Sequence, residues 1–446
     1  MNEEVQLGQV DSEIQLVGEE LPVPCEFLTG KAGSGKTYEV LRRVGADPSY
    51  GLVCATTGIA AVNLGAVTIN SVLKYFDTAS MRDSYLAGHL TRVLHKIAKE
   101  KRRIIIDEGS MLEAEQLGYL YRATQEANRF ADVKVPLGIV VVGDFAQLPP
   151  VKGAWAFTSP YWAEFASNTT RLDKVWRQGE GQFLDALNFA RVGDGLSCAK
   201  TLSEAGAGWN SSRDMDFEGT TILCKNDMVS RHNDVVLDRV PGPRFKVTSE
   251  RWGKQRSEWG ENKRTHEWGI PPSSEFKLGA YVMVLSNTRD FSMVNGDCGW
   301  VRSYDPDLEV FTVELIRTKK EVVVGRIVRE VAATDEPEGW VGDELDRDDE
   351  AGWLPRQHYR PKDKKYVLGQ IRYFPLRLAY ASTVHKSQGL TLDRVQVDYR
   401  DRFFESAAMV YVALSRCRTL EGLRLVGGPD VLAQKCRADV RVMAWL

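Results

Sequence analysis

The sequence predicts an α/β protein with two parallel-sheet domains and a small antiparallel β-barrel inserted in the second. Three observations carry this. From Glu26 to about Phe165, short apolar runs alternate with stretches of helical spacing, as in a parallel sheet joined by crossover helices. A second set of buried-strand runs appears at Thr220–Cys224, Val395–Asp398 and Leu423–Val426. Between its halves, residues 240 to about 370 are rich in Gly, Pro, Trp and charge, with alternating runs at Tyr281–Leu285, Cys298–Arg302, Val310–Leu315 and Glu321–Val328.

In the first domain, Glu26-Phe27-Leu28-Thr29 reads as a strand and Tyr38–Val44 as the start of a helix. Between them lies Gly30-Lys31-Ala32-Gly33-Ser34-Gly35-Lys36-Thr37. Glycines there let the backbone curl so that successive N–H groups face a phosphate at a helix N-terminus. Gly30, Ala32, Gly33, Ser34, Gly35 and Lys36 are the expected phosphate-binding residues, with Lys36 on the β and γ phosphates and the Thr37 hydroxyl on Mg²⁺. The strand Gly51–Ala55 leads into Thr56-Thr57-Gly58-Ile59-Ala60-Ala61, where hydroxyls and a helix N-terminus suit a further phosphate or simply cap the helix. Between expected helices Ala87–Lys101 and Ala114–Asn128, the strand Arg103–Asp107 closes on Asp107-Glu108. Asp107 is expected to hold the ion and Glu108 to polarise an attacking water, which makes the pair of motifs those of a Mg²⁺-dependent nucleoside triphosphatase. The strand Gly138–Gly143 runs into Asp144-Phe145-Ala146-Gln147-Leu148-Pro149-Pro150, with Gln147 placed to sense a γ phosphate.

Composition bounds what such an engine acts on. The 446 residues carry 58 Lys and Arg against 61 Asp and Glu, a balance that neither announces nor excludes nucleic acid. A dense acidic block at Asp335–Glu350 offsets a basic stretch from Arg244 to Lys263, where Trp252, Trp259 and Trp268 are interleaved with cations, either a stacking strip or a loop packing its own tryptophans. Seven singly scattered cysteines argue for reduced core thiols and against a zinc or disulfide framework. No run is long and apolar enough to span a bilayer and the N-terminus lacks signal-peptide features, so no membrane role and a cytoplasmic setting are expected; the short chain without accessory domains fits a bacterial or phage-infected cell, with nucleoid association expected.

Two arginines, Arg177 in Val175-Trp176-Arg177-Gln178 and Arg416 in Tyr411-Val412-Ala413-Leu414-Ser415-Arg416, lie in the second α/β set. Guanidinium groups reaching a phosphate from another domain tie hydrolysis to domain motion, which is what a motor needs. Ala381-Ser382-Thr383-Val384-His385-Lys386-Ser387-Gln388-Gly389 gathers hydroxyl, imidazole, ammonium and amide donors, groups that hold a nucleic-acid backbone without reading bases.

Taken in order, these motifs resemble those of the superfamily 1B helicases, most closely the PIF-type and phage Dda-like groups, with RecD more distant. The likeness runs from about residue 25 to about residue 428. It extends to Leu278–Met283 and Asn295–Gly299, similar to the family's SH3-like insert. The resemblance implies two RecA-like domains and ATP-driven 5′-to-3′ movement on single-stranded DNA with unwinding of forked duplex, in replication, recombination or repair. A clamp or translocase that does not separate strands is the alternative. Thr57, Gly58, Asn70, Ser382, His385, Lys386 and Ser387 are the implied DNA contacts, and Gln388 and Gly389 join the nucleotide set. Asn70 stands where the family usually has histidine, and Gly109 where a branched apolar residue is usual. Gln9 and Gln15 are candidates for the adenine contact, and Tyr75, Phe76 and Tyr85 for the strand separator.

The expected domains are an N-terminal segment 1–24, a first RecA-like domain 25–166 with a wedge at about 73–86, a second split as 167–239 and 371–446, and the insert 240–370 with an acidic loop 335–352. A monomer is expected, with single-strand binding protein or replisome components as partners.

Overall fold

The computed structural model of the chain describes residues 23–253, 270–286, 288, 292–293, 296–333, 358–360, 365–405 and 407–446. Gln9, Gln15, Trp259, Trp268, Asn295 and the acidic loop lie outside the described residues. The chain forms two units, the first made of the residues up to Leu184 with Ala190–Gly193 and Arg437–Leu446, the second of Asp185–Phe189 and Asp194–Cys436.

The first unit is built on strands β1 (Cys25–Gly30), β2 (Leu52–Ala55), β3 (Val67–Thr68), β4 (Arg103–Asp107), β5 (Gly138–Gly143) and β6 (Thr169–Leu172), in the spatial order β3-β2-β4-β5-β1-β6 and parallel throughout. Both faces of the central strands are covered, so β5 is buried along its whole length, the reason its sequence is a continuous apolar run. Helices α1 (Lys36–Ala46), α2 (Gly58–Asn63), α3 (Ile69–Leu73), α4 (Thr78–Leu86), α5 (His89–Ala98), α6 (Ala114–Ala127) and α7 (Trp162–Ala166) follow in order, and α8 (Gln182–Arg191) has residues in both units. α4, inside the expected wedge, starts at a capping box: the Asp77 carboxylate accepts from Ser80 N and the Ser80 hydroxyl from Asp77 N.

Two expected boundaries move. Thr169–Leu172 was assigned to the second domain, but as β6 it pairs with β1, with Phe27 opposite Thr169. Residues 437–446 were assigned there as well. They pack on the first unit instead, where Val442 is buried, the Trp445 ring meets Trp162 edge-on at 5.8 Å, and Asp439 accepts from Trp155 Nε1 at 3.2 Å. Apolar surface on a terminal segment is stabilised wherever it is buried, and no local pattern names the partner.

The second unit contains a five-stranded parallel sheet. Its members are β7 (Gly208–Asn210), β8 (Thr220–Leu223), β20 (Ala381–Thr383), β21 (Val395–Asp398) and β22 (Leu423–Val426), ordered β20-β8-β21-β22-β7. Helices α9 (Gly195–Glu204), α10 (Asn226–Arg239), α11 (Val384–Ser387), α12 (Met409–Leu414) and α13 (Pro429–Lys435) belong to the same unit. Between β8 and β20 runs an antiparallel region: β9 (Phe245–Thr248) with β11 (Ser273–Phe276); β10 (Glu250–Gly253), β16 (Ile327–Ala333) and β17 (His358–Arg360) with β18 (Lys365–Tyr373); and a five-stranded sheet of β12 (Tyr281–Val284), β13 (Cys298–Asp305), β14 (Val310–Leu315), β15 (Glu321–Gly325) and β19 (Leu376–Leu378). The run Glu321–Val328, expected as one strand, divides after Gly325, with β15 on β14 and β16 on β18. Arg326 fastens the corner through Glu309 at 2.9 Å and the Thr248 carbonyl at 2.6 Å, its guanidinium 4.7 Å from the centre of the Phe374 ring.

Candidate functional site

Parallel register brings the first unit's motifs to one edge of its sheet. Ala55 lies opposite Asp107, Ile106 opposite Val141, and Thr29 opposite Gly143, so the chain leaves β1, β2, β4 and β5 at nearly the same level. The phosphate loop turns through Gly33 (φ 79°) and Gly35 (φ 86°), conformations glycine adopts without a Cβ penalty. A Cβ on Gly33 would also lie 2.5 Å from that of Arg177.

The loop's polar groups converge. Lys36 Nζ donates to the Gly30 carbonyl at 2.7 Å and the Lys31 carbonyl at 3.0 Å. Burial pulls its pKa down, against the carboxylates of Asp144, Glu108 and Asp107. Thr37 Oγ1 donates to Asp107 Oδ2 at 2.8 Å, and Glu108 N to Asp107 Oδ1 at 2.8 Å. Burial first, then the adjacent Glu108 carboxylate, pushes Asp107 up to about 6, which those two hydrogen bonds oppose. The Ser34 hydroxyl is buried with no hydrogen-bond partner among the described residues. A buried donor, an ammonium held on carbonyls and two neighbouring carboxylates fit a nucleoside triphosphate with a divalent cation. Glu108 takes a left-handed backbone (φ 53°), a conformation that persists for a non-glycine residue only when its surroundings impose it. The next residue is glycine for a packing reason: a Cβ at Gly109 would meet Val141 Cγ1 at 2.4 Å.

Beyond β5, Asp144 N-terminally anchors the turn that carries Gln147. Its carbonyl accepts Gln147 N at 2.8 Å and its carboxylate accepts Ala146 N at 3.1 Å. The same carboxylate receives Arg191, from Nη2 at 2.8 Å and Nε at 3.3 Å, and both side chains are buried. Sequence reasoning missed Arg191; a basic residue ending the apolar stripe of α8 was its one visible signal. Gln147 is itself buried, and its side-chain amide makes no hydrogen bond among the described residues.

Arg177 needs correction. It was expected in the second α/β set, but belongs to the first unit, against the phosphate loop: Trp176 N donates to the Gly33 carbonyl at 2.8 Å, and the Arg177 charge lowers the Lys36 pKa. Arg416 lies in the second unit, 1% exposed, with Nε on the Val412 carbonyl at 2.8 Å, Nη1 on those of Ser387 and Leu390 at 3.4 and 3.3 Å, and Nη2 on Ser415 Oγ at 2.7 Å. It braces the 384–390 loop, and contact with a phosphate requires those bonds to be given up.

The expected nucleic-acid contacts divide between the units. In the first, Thr57 Oγ1 accepts Ala60 N at 3.2 Å and so caps α2, while Thr56 Oγ1 donates to the Glu108 carbonyl at 2.8 Å, tying this loop to the carboxylate motif. Gly58 begins α2, and Asn70 Nδ2 donates to the Phe76 carbonyl at 3.4 Å. Of the strand-separator candidates, Tyr75 is buried in the core and Tyr85 is fixed through its hydroxyl to Glu126 at 2.7 Å. Phe76 is 54% exposed at the start of the capping box. In the second unit His385 and Lys386 are exposed on α11 and Gly389 follows with φ 81°. Ser382, Ser387 and Gln388 are buried; the Ser387 hydroxyl bonds the Val384 carbonyl at 2.8 Å, so these serines shape the loop from within.

Residues 10–189 match the family model described as PIF1-like helicase. The human ATP-dependent DNA helicase PIF1 is 30% identical over 436 residues, covering 94% of this chain and 60% of the human protein, so the chain spans well under two thirds of that relative. The crystal structure of Pif1 helicase from Candida albicans shares the fold with a TM-score of 0.65 at 25% identity, covering 94% of both chains. That of Bacteroides sp Pif1 in complex with ADP-AlF4 gives 0.67 at 24% identity over 96% of this chain and 92% of that one. With the motifs of the first unit and the two parallel sheets in place, the chain is similar to the PIF1-like helicases of superfamily 1B.

Proposed function

We propose that this chain is an ATP-dependent DNA helicase that moves 5′ to 3′ along single-stranded DNA and opens forked duplex. The observation that carries this reading is the join between Thr56 and Glu108: the same short loop that presents Thr57 and Gly58 is hydrogen-bonded to the carboxylate motif, so a change at one is felt at the other. The name of the human relative, an ATP-dependent DNA helicase, and the ADP-AlF4 held by the Bacteroides protein support the same chemistry.

In this reading Lys36, Ser34 and the N–H groups of the loop bind the β and γ phosphates, and Thr37 and Asp107 hold Mg²⁺, whose charge offsets that of the phosphates. Glu108 accepts the proton of the attacking water, Gln147 orients that water, and Arg177 neutralises charge developing on the γ phosphate. His385 and Lys386 grip the strand in the second unit, with Asn70 in the first, and Phe76 stacks against the leading base pair. Lys36→Ala abolishes DNA-stimulated ATP hydrolysis while leaving the circular dichroism spectrum unchanged; unchanged turnover overturns the assignment. A fork with a 5′ tail is opened and one with a 3′ tail is not. DNA-stimulated hydrolysis without opening of either fork marks a clamp instead.

A further inference from the structure

Three strands of the second parallel sheet end together. Leu223 of β8 lies opposite Thr383 of β20, and Ile222 opposite Val397 of β21, so the chain leaves all three at one edge. After β20 that edge carries the exposed His385 and Lys386, after β8 Lys225, and after β21 the 3₁₀ turn Arg402–Glu405. Within the turn two adjacent phenylalanines part: Phe404 is fully buried, whereas Phe403 is 44% exposed. The Asp401 carboxylate accepts Phe403 N at 3.0 Å and the Asp401 carbonyl accepts Phe404 N at 3.1 Å, so the backbone that presents the exposed ring is held at both residues. Lys225 Nζ lies 3.9 Å from the centre of the Phe403 ring, and the guanidinium carbon of Arg402 lies 5.3 Å from it. Among the described residues, the other rings that meet a cation are buried or half-buried, apart from Trp176 beside the phosphate loop of the first unit.

An aromatic ring held in water forgoes the burial that its neighbour Phe404 obtains. Cations beside a rigidly presented ring are the pair of features that binds a single strand without reading its sequence: the charges attract phosphates and the ring accepts the face of any base. We infer that Phe403 is a stacking platform for one base of single-stranded DNA, with Lys225 and Arg402 on the phosphates that flank it. This rests on the proposed DNA-binding role of the 381–389 loop and extends the track from the end of β20 across β8 to β21, outside that loop's motif. Adjacent strands lie about 4.8 Å apart, so three strand ends offer contacts to successive nucleotides instead of crowding one phosphate. Lys225 takes one side of the ring, and the base takes the part that remains exposed.

The test is fluorescence-anisotropy titration of the full chain, as wild type, Phe403→Ala, Phe403→Trp and Lys225→Gln, with a labelled thymidine oligonucleotide and with an abasic strand of the same length, at several salt concentrations. Each protein is also melted without DNA. On the thymidine strand Phe403→Ala binds about tenfold more weakly, the usual weight of one stacked base. On the abasic strand it binds as the wild type does, because no base is there to lose. Phe403→Trp restores thymidine binding, since a larger ring offers the same face. Phe403→Ala keeps the wild-type slope of log affinity against log salt, whereas Lys225→Gln lowers it by about 0.7, one phosphate contact on a single strand. Without DNA, Phe403→Ala melts close to the wild-type temperature, as for an exposed side chain. Unchanged thymidine binding by Phe403→Ala, or equal weakening on both strands, overturns the platform alone, and an unchanged slope in Lys225→Gln overturns the phosphate contact. Absence of thymidine-strand binding by the wild type overturns the DNA reading of the 381–389 loop as well.

Discussion

Replacing Arg191 with alanine strips the Asp144 carboxylate of its cation while leaving it fully buried. Removing one partner of a buried pair costs about 3–5 kcal/mol, because the remaining charge cannot return to water. The two guanidinium contacts at 2.8 and 3.3 Å are lost, while Ala146 N at 3.1 Å and the charge of Lys36 remain. Partial compensation by that backbone donor places the expected loss near the lower end, about 3 kcal/mol. Urea unfolding of the first unit measures it as a drop in midpoint at constant slope. In a cycle with Asp144→Ala the double variant loses less than the sum of the singles, by at least about 1 kcal/mol, since no orphan charge is left. The turn bearing Gln147 hangs on the Asp144 carbonyl at 2.8 Å, so the variant lowers kcat for ATP more than it raises KM. Arg191→Lys, which keeps charge but not the two-point geometry, falls between. A loss under about 0.5 kcal/mol for Arg191→Ala, or strict additivity in the cycle, refutes the account.

Three other outcomes are expected. Glu108→Gln retains nucleotide binding, measured with a fluorescent ATP analogue, and loses hydrolysis by at least about a hundredfold, the usual weight of a positioned base. Phe76→Ala, at a residue 54% exposed, keeps DNA-stimulated ATPase but opens the 5′-tailed fork several-fold more slowly; an unaltered opening rate removes Phe76 from the separator. His232 is buried, and burial, with Arg213 and Arg239 nearby, pushes its imidazole down to about 4. Between an unfolded value near 6.5 and that folded value the unfolded chain binds the extra proton, so stability falls as pH drops through this window, by about 2 kcal/mol at pH 5 relative to neutrality. His232→Leu flattens that part of the denaturation profile.

The sequence announced the strands that face helices on both sides, because burial on two faces leaves an unbroken apolar run: β4 and β5 have the bounds expected for them. It concealed β16 and β18, whose partners belong to a second antiparallel layer, and it merged β15 with β16 because alternation continues through the corner at Arg326. The capping box that starts α4, Asp77-Thr78-Ala79-Ser80, lies within the segment expected as a wedge, between its aromatic residues. Among those aromatics, spacing alone did not separate Tyr75 in the core from Phe76 in solvent, the two lying in the short connection between α3 and α4.

Motif residues proved more legible than their mates. Lys36, Thr37, Asp107 and Gln147 are recognisable because phosphate and metal chemistry fixes their type and their distance from a strand end. The residues that hold them are chosen by packing across the sheet: Thr56 for Glu108 at a separation of 52, Arg191 for Asp144 at 47. Arg177 shows the same limit from the other side. Its sequence lies beyond the last expected strand of the first domain, but β6 adds one more strand beside β1 and delivers Trp176 to the Gly33 carbonyl. The extra strand therefore places Arg177, the proposed arginine finger, in the same unit as the phosphate loop. In the proposed cycle a finger so placed stays beside the phosphates throughout, and the proposed dependence of hydrolysis on DNA enters through another contact, for which the Thr56–Glu108 hydrogen bond is the proposed route.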